Sequence, residues 1–185
     1  IFPRRGGRAP ALDDLDSLHT LGRFIGRIHA VGKQQSFEHR PTLSVQQRGW
    51  ESRQFLLESN MISESLKPAY ESVSADLLDR IDSQFDQWGH YQSIRLHGDC
   101  HIGNILWRDD TPHFVDFDDC ISGPAIQDIW LMLNGDRLDR IKQLGELIEG
   151  YEEFCDFDPC ELNLIESLRS LRLIHYAAWL ARRWE

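Results

Sequence analysis

The spacing of apolar residues changes twice along this chain, and that change most limits the folds open to it. In residues 15–28 and 66–85 they recur every three or four positions, as on one face of an amphipathic helix. Between residues 94 and 117 they form three short runs separated by polar and turn-forming residues, which is typical of strands and loops. From Pro124 the helical spacing returns. We therefore predict a mostly α-helical chain with a small β insert.

The predicted elements can be bounded by capping and helix-breaking residues. Asp13 or Asp14 can cap the first helix, and the polar segment 33–49, which contains Pro41, is predicted to be a connection. Further helices are predicted at about residues 50–57, 65–88, 124–134, 137–155 and 159–184. Strands are predicted in the three apolar runs at residues 94–96, 105–107 and 114–117, with a turn at residues 109–112.

Composition excludes several classes of protein. The 185 residues, 41% of them apolar, suffice for one domain with its own core. The 30 acidic residues exceed the 20 basic ones, and the net charge of −10 disfavours nucleic acid and anionic membranes as partners. Residues 1–25 lack the pattern of a signal peptide, and no apolar stretch is long enough to cross a bilayer. Four cysteines without a Cys-x-x-Cys pair fit a reducing cytoplasm.

The side chains best suited to chemistry are densest in the predicted β insert. Residues 97–107 read HGDCHIGNILW, which contains the spacing His-x-Asp-x-x-x-x-Asn of a kinase catalytic loop. Asp116 follows Asn104 by twelve residues and takes the place of the metal-binding aspartate in the Asp-Phe-Gly motif. Because Mg²⁺ prefers oxygen ligands, Asn104 and Asp116 are the predicted metal ligands. Asp99 is predicted to accept the proton of the substrate hydroxyl, and we count Asp116 with it as catalytic.

Five segments together resemble the bacterial stress response kinase A family, a branch of the aminoglycoside phosphotransferase and choline kinase-like superfamily. These segments are residues 95–107, 115–119, 123–125, 127–128 and 178–184. The resemblance implies the C-terminal lobe of a protein kinase-like fold. It also implies a cytoplasmic serine/threonine protein kinase of the stress response, with ATP and Mg²⁺ as cofactors and a protein hydroxyl as acceptor.

The resemblance also divides the chain. Residues 1–10 would form a segment near the hinge, where Phe2 would contact the nucleotide, and residues 11–89 would be helical. Residues 90–122 would hold the catalytic and metal-binding β loops, and residues 123–185 the C-terminal helices.

A kinase also needs a glycine-rich phosphate cover and a lysine on a strand. Lys33, Lys67 and Lys142 all lie in helical or loop contexts, and no Gly-x-Gly-x-x-Gly occurs. We therefore expect the N-terminal ATP-binding lobe to be absent and the chain alone to be inactive. The protein is expected to be a monomer.

Several neighbouring residues have two interpretations each. His97 is expected to be a scaffold rather than a proton carrier, whereas His101 could reach phosphate or close the loop. Asp118 stands where protein kinases have glycine, and could be a second metal ligand or a structural acid. Asp128 could serve the helix dipole, or, as the resemblance suggests, anchor the backbone amides of the catalytic loop. Cys100 could be oxidisable if its thiolate is stabilised.

Three other functions compete with the protein kinase. A small-molecule kinase acting on an aminoglycoside-like or choline-like cation would use the same loop, and the negative charge suits such a substrate. A pseudokinase or interaction module would not need all three of the predicted catalytic and metal-binding residues. A metal-dependent phosphoesterase is suggested by residues 98–101 and 135–140. However, the later His113 and His175 lack the preceding Gly-Asn that such a site requires.

Overall fold

The computed structural model describes residues 6–184, so the predicted nucleotide contact at Phe2 lies outside the described residues. In this part of the chain the α-helices are α1 Leu15–Gly32, α2 Glu51–Glu58, α3 Lys67–Trp88, α4 Ile126–Ile129, α5 Arg137–Glu152 and α6 Ile165–Trp184. The strands are β1 Ile94–Leu96, β2 Ile105–Arg108, β3 Thr111–Phe114 and β4 Ile121–Gly123. The predicted mostly helical chain with a small β part is confirmed.

The helices differ from the prediction at three places. A π-helical turn, Gln46–Trp50, leads into α2, so part of the predicted connection is helical. The predicted helix at residues 124–134 is shorter, because α4 gives way to the 3₁₀ turn Trp130–Met132 and the backbone is extended at Leu133. Another 3₁₀ turn, Pro159–Leu164, precedes α6.

The β part forms two antiparallel pairs of strands. β2 pairs with β3, and the turn between them is only Asp109 and Asp110, which both have positive φ. β1 pairs with β4, a three-residue strand that the sequence did not predict because Ile121 is its single apolar side chain, whereas β1 has two. The segment after Phe114, predicted as strand, instead leads into the 3₁₀ turn Phe117–Asp119.

The first of two compact units contains the described residues up to Thr42 together with Gln92–Pro159. Here α1 packs against α5 through glycines, so that the two helix backbones lie unusually close. A Cβ atom added at Gly22 would be 2.1 Å from the carbonyl oxygen of Leu147, and one at Gly150 would be 2.1 Å from that of His19. Asp14 caps α1, since its side chain accepts a hydrogen bond from the Ser17 backbone N–H.

The second unit contains Leu43–Tyr91 and the described residues from Cys160 onward. Its core is a cluster of apolar side chains from α3, α6 and the segment before α2. The cluster is formed by Val45, Leu78, Ile81, Leu171 and Ile174. Within α3, Val73 is 67% exposed although it fits the apolar spacing of residues 66–85, whereas Leu78 is fully buried. Among the described residues, no helix has both the length and the apolar character needed to cross a membrane.

Candidate active site

Strand pairing brings the two polar segments of the sequence together. The catalytic loop, residues 97–104, connects β1 to β2, and the metal-motif segment, residues 115–120, connects β3 to β4. Because β1 pairs with β4 and β2 with β3, the ends of both segments are held side by side. The Val115 N–H donates to the Asn104 carbonyl oxygen at 3.0 Å, which continues the β2–β3 pairing up to the residue before Asp116. The predicted catalytic and metal-binding residues Asp99, Asn104 and Asp116 therefore lie on neighbouring segments of backbone.

Asp99 and Asn104 are hydrogen bonded to each other within the catalytic loop. The Asn104 side-chain Nδ2 donates to the Asp99 carbonyl oxygen at 3.0 Å and lies 3.3 Å from Asp99 Oδ2. The Nε2 atom of His101 lies 3.3 Å from the same carboxylate oxygen. Because the amide nitrogen of Asn104 is used within the loop, its Oδ1 remains the acceptor, and no described residue donates to it.

Asp116 occupies a strained backbone conformation. Its φ of 64° and ψ of 62° place it in the left-handed region, which is uncommon for a residue other than glycine. Its side chain is exposed and makes no hydrogen bond or ion pair with any described residue. Strain of this kind is concentrated at functional sites. The Asp116 carboxylate and Asn104 Oδ1 form the pair of oxygen donors that Mg²⁺ prefers, so these residues fit the implied metal.

His97 connects the catalytic loop to the metal-motif segment. Its Nε2 lies 2.9 Å from the Val115 carbonyl oxygen, which can only accept, so Nε2–H is the donor. Its ring packs against the Phe117 ring with centroids 4.6 Å apart, and the residue is 1% exposed. A histidine buried in this way holds the residue before Asp116 in place.

Asp128, in the first turn of α4, holds the start of the catalytic loop through two backbone amides. Its Oδ2 accepts from the His97 N–H at 2.8 Å, and its Oδ1 accepts from the Gly98 N–H at 2.9 Å. Gly98 has a φ of +86°, and a Cβ atom there would lie 2.2 Å from the Asp119 carbonyl oxygen. The loop therefore enters the site by a turn that requires glycine and is fixed by a buried carboxylate.

Two residues that were not identified from the sequence form a chain of polar contacts that ends at Asp128. The Nε2 atom of His29 in α1 lies 3.0 Å from Asp128 Oδ2, and its Nδ1 lies 3.1 Å from the Tyr151 hydroxyl of α5. The Tyr151 hydroxyl also donates to Cys155 Sγ at 3.2 Å. His29 and Tyr151 are fully buried. The available signal was a histidine one helical turn after Ile25 on the apolar face of α1.

Replacing Tyr151 with phenylalanine tests how much this buried support contributes to stability. The change keeps the ring but removes the hydroxyl between His29 and Cys155, so a buried polar atom loses its partner. We expect the free energy of unfolding to fall by about 1 kcal/mol in urea denaturation. A variant as stable as the parent chain would contradict a structural role for the hydroxyl.

The remaining predicted residues have distinct environments. Asp118 is exposed, and its carbonyl oxygen accepts a hydrogen bond from the Arg40 guanidinium, so Arg40 holds the metal-motif segment through its backbone. Burial raises the pKa of the Cys100 thiol well above its ordinary value, and the carboxylates of Asp128 and Asp99 raise it further. The Cys100 thiolate is therefore disfavoured. Oxidation of Cys100 was predicted only if its thiolate were stabilised, and that condition is not met.

Sequence comparisons match nearly the whole of this chain to known proteins. The chain matches the family described as the phosphotransferase enzyme family over residues 1–164. It is 45% identical over 184 residues to stress response kinase A of Escherichia coli O157:H7. It is 44% identical over the same length to serine/threonine protein kinase RdoA of Salmonella typhimurium. Each alignment covers 100% of this chain and 55% of the relative, so the chain spans about half the length of these relatives.

Solved structures show the same fold at low sequence identity. Amicoumacin kinase hAmiN, in complex with AMP-PNP, Ca²⁺ and Ami, superposes with a TM-score of 0.70 at 17% identity, covering 99% of this chain and 57% of that one. A microcompartment-associated aminopropanol kinase superposes with a TM-score of 0.70 at 18% identity, covering 97% of this chain and 59% of that one. The expected aminoglycoside phosphotransferase-like fold is thereby confirmed.

Proposed function

This chain belongs to the phosphotransferase enzyme family, and from that premise we propose that it is the C-terminal lobe of an ATP- and Mg²⁺-dependent serine/threonine protein kinase. The observation that carries the proposal is the arrangement of Asp99, Asn104 and Asp116 on adjoining backbone, with the Asp99 carboxylate oriented by the loop. The names of the relatives, a stress response kinase and a serine/threonine protein kinase, support a protein as the acceptor.

In the proposed reaction Asp99 acts on the acceptor hydroxyl. Its carboxylate accepts a hydrogen bond from the hydroxyl and orients the oxygen toward the γ-phosphorus of ATP. As the new P–O bond forms and the bond to ADP breaks, the hydroxyl proton passes to Asp99. The Asn104 amide holds Asp99 Oδ2, which keeps the carboxylate in one orientation.

Asn104 Oδ1 and the Asp116 carboxylate would hold the magnesium. When bound, Mg²⁺ supplies positive charge that neutralises the phosphate oxygens during transfer. A solved structural neighbour contains AMP-PNP and Ca²⁺, which supports a nucleotide and a divalent cation as ligands of this fold. The left-handed backbone at Asp116 and the His97 contact to Val115 support this role, because they fix the backbone that carries the Asp116 carboxylate.

We further propose that the nucleotide-covering lobe lies outside this chain. The relatives are nearly twice as long, and the three lysines considered above remain in helices or helix ends. The isolated chain is therefore expected to show no ATP-dependent phosphoryl transfer above background. Incubation with ATP, Mg²⁺ and a general protein substrate, alongside the full-length protein, measures this. Equal turnover by both would overturn the assignment of a lobe.

A small-molecule kinase is the second candidate, because the amicoumacin and aminopropanol kinases share the fold. The discriminating experiment gives the full-length protein ATP and, separately, a general protein substrate, an aminoglycoside, choline and an amino alcohol. The proposed function predicts transfer to serine or threonine residues of the protein. Transfer confined to a small cation would establish the second candidate instead.

A further inference from the structure

We propose that His101 is a positioning residue that orients the Asp99 carboxylate. We also propose that Gly103, which lacks a side chain, leaves the space that the His101 ring occupies. The inference rests on the proposed role of Asp99 as proton acceptor. It deepens that role by assigning a task to a histidine whose function the sequence left open between phosphate contact and loop closure.

The loop itself selects the tautomer of His101. The Gly103 backbone N–H, which can only donate, makes a hydrogen bond of 2.9 Å to His101 Nδ1. Nδ1 must therefore be the unprotonated acceptor, and the neutral ring carries its proton on Nε2. That Nε2 atom lies 3.3 Å from Asp99 Oδ2. The same ring thus accepts from the loop backbone on one side and presents a donor to Asp99 on the other.

Gly103 provides the space in which the ring lies. A Cβ atom added at Gly103 would lie 2.7 Å from His101 Cε1 and 2.9 Å from Nδ1, which is closer than real Cβ atoms approach other atoms. Its three nearest neighbours all belong to this ring. Gly103 does not have positive φ, unlike Gly98 and Gly135, so its backbone conformation does not require glycine. The ring alone accounts for the absence of a side chain.

Two side-chain nitrogen atoms therefore lie beside one carboxylate oxygen. His101 Nε2 and Asn104 Nδ2 both lie 3.3 Å from Asp99 Oδ2 and restrict rotation of the carboxylate. Small errors in the placement of a reacting group are costly, of the order of 100-fold for about 1 Å. The His101 side chain is 36% exposed, so water can partly replace its donor. We therefore expect loss of the His101 donor to lower kcat by roughly tenfold, within the range seen for positioning errors.

Matched substitutions in the full-length protein separate the two contacts of the ring. In His101→Asn, the amide oxygen can still accept from the Gly103 N–H, but the side chain is too short to reach Asp99. In His101→Gln, the longer side chain can place an amide N–H near the carboxylate. We expect His101→Asn to lose about tenfold in kcat with the KM for ATP unchanged, and His101→Gln to recover most of the loss.

A double-mutant cycle tests whether Gly103 acts by leaving space for the His101 ring. Gly103→Ala is expected to lower kcat as much as His101→Ala does, because the new Cβ displaces the ring. Gly103→Ala added to His101→Ala is expected to have no further effect, because the clash is then absent. If Gly103→Ala is equally harmful with and without the histidine, Gly103 does not act through the ring and the proposal is wrong.

A readout independent of activity is the tautomer. Nitrogen-15 NMR of the His101 ring in the full-length protein should show Nε2 protonated and Nδ1 unprotonated at neutral pH, and the opposite tautomer would overturn the proposal. Asp99→Asn distinguishes failure of the proposed function: if that variant stays active, the role of Asp99 is wrong. If Asp99→Asn is inactive while His101→Asn keeps full kcat, only the assignment of His101 fails.

Discussion

Replacing Asp99 with asparagine in the full-length protein lowers the rate of phosphoryl transfer by roughly 10²–10⁴-fold, the usual contribution of a positioned proton acceptor. The amide keeps the size of the carboxylate but can no longer take the hydroxyl proton. Because Asp99 acts on the acceptor and the proposed metal ligands are Asn104 and Asp116, the KM for ATP should change little. Steady-state kinetics with varied ATP measure both quantities.

The matched control for this variant is Asp110→Asn. Asp110 lies in the turn between β2 and β3, is exposed, and has a positive φ that asparagine tolerates well. The control removes the same charge from the same β part without touching the catalytic loop. Its rate should equal that of the parent protein. If both variants lost activity equally, the loss would reflect the charge of the β part rather than the chemistry of Asp99.

Replacing Gly22 with alanine destabilises the chain by about 3 kcal/mol, the upper part of the range for overpacked sites. The new methyl group would lie 2.1 Å from the Leu147 carbonyl oxygen and 3.0 Å from the Tyr151 backbone nitrogen, both on α5. Backbone atoms of a packed helix cannot move aside as a flexible side chain can, so α1 and α5 must separate. Urea denaturation measures the change in the free energy of unfolding.

Gly145→Ala is the control, and it should change stability in the opposite direction. Gly145 lies in α5 and is exposed, and apart from the adjoining backbone of α5 no atom lies within 4 Å of a Cβ added there. Alanine is the better helix former by up to about 1 kcal/mol, so this variant should be slightly more stable than the parent. Equal effects of the two substitutions would show that helix propensity, and not close packing of α1 on α5, decides the result.

Local patterns made much of the fold predictable from the sequence. The three- and four-residue spacing placed α1 and α3, and the spacing of Asp99, Asn104 and Asp116 selected the loop segments that the structure brings together. The short strand β4 was missed, because Ile-Ser-Gly contains one apolar side chain and its pairing partner β1 lies more than twenty residues earlier. The early end of α4 was missed because the apolar run continues through Leu133, although the backbone does not.

The buried contacts that hold Asp128 in place could not be predicted from local sequence. His29 and Asp128 are 99 residues apart, and His29 and Tyr151 are 122 residues apart. Only the packing of α1 against α5 and α4 makes them neighbours. The same holds for Gly22, which looks like any helical glycine until the α5 backbone is placed beside it. His101 and Gly103 are close in sequence, but the hydrogen bond between them depends on the orientation of the His101 ring, which the sequence does not specify.

The most direct test of the account is transfer of labelled phosphate from ATP to serine or threonine by the full-length protein, with and without Mg²⁺, for the parent and Asp99→Asn. We predict transfer only when both Mg²⁺ and Asp99 are present. Transfer that persists at the parent rate without Mg²⁺, or in the Asp99→Asn variant, would contradict the central claim that this loop is the catalytic loop of a metal-dependent kinase.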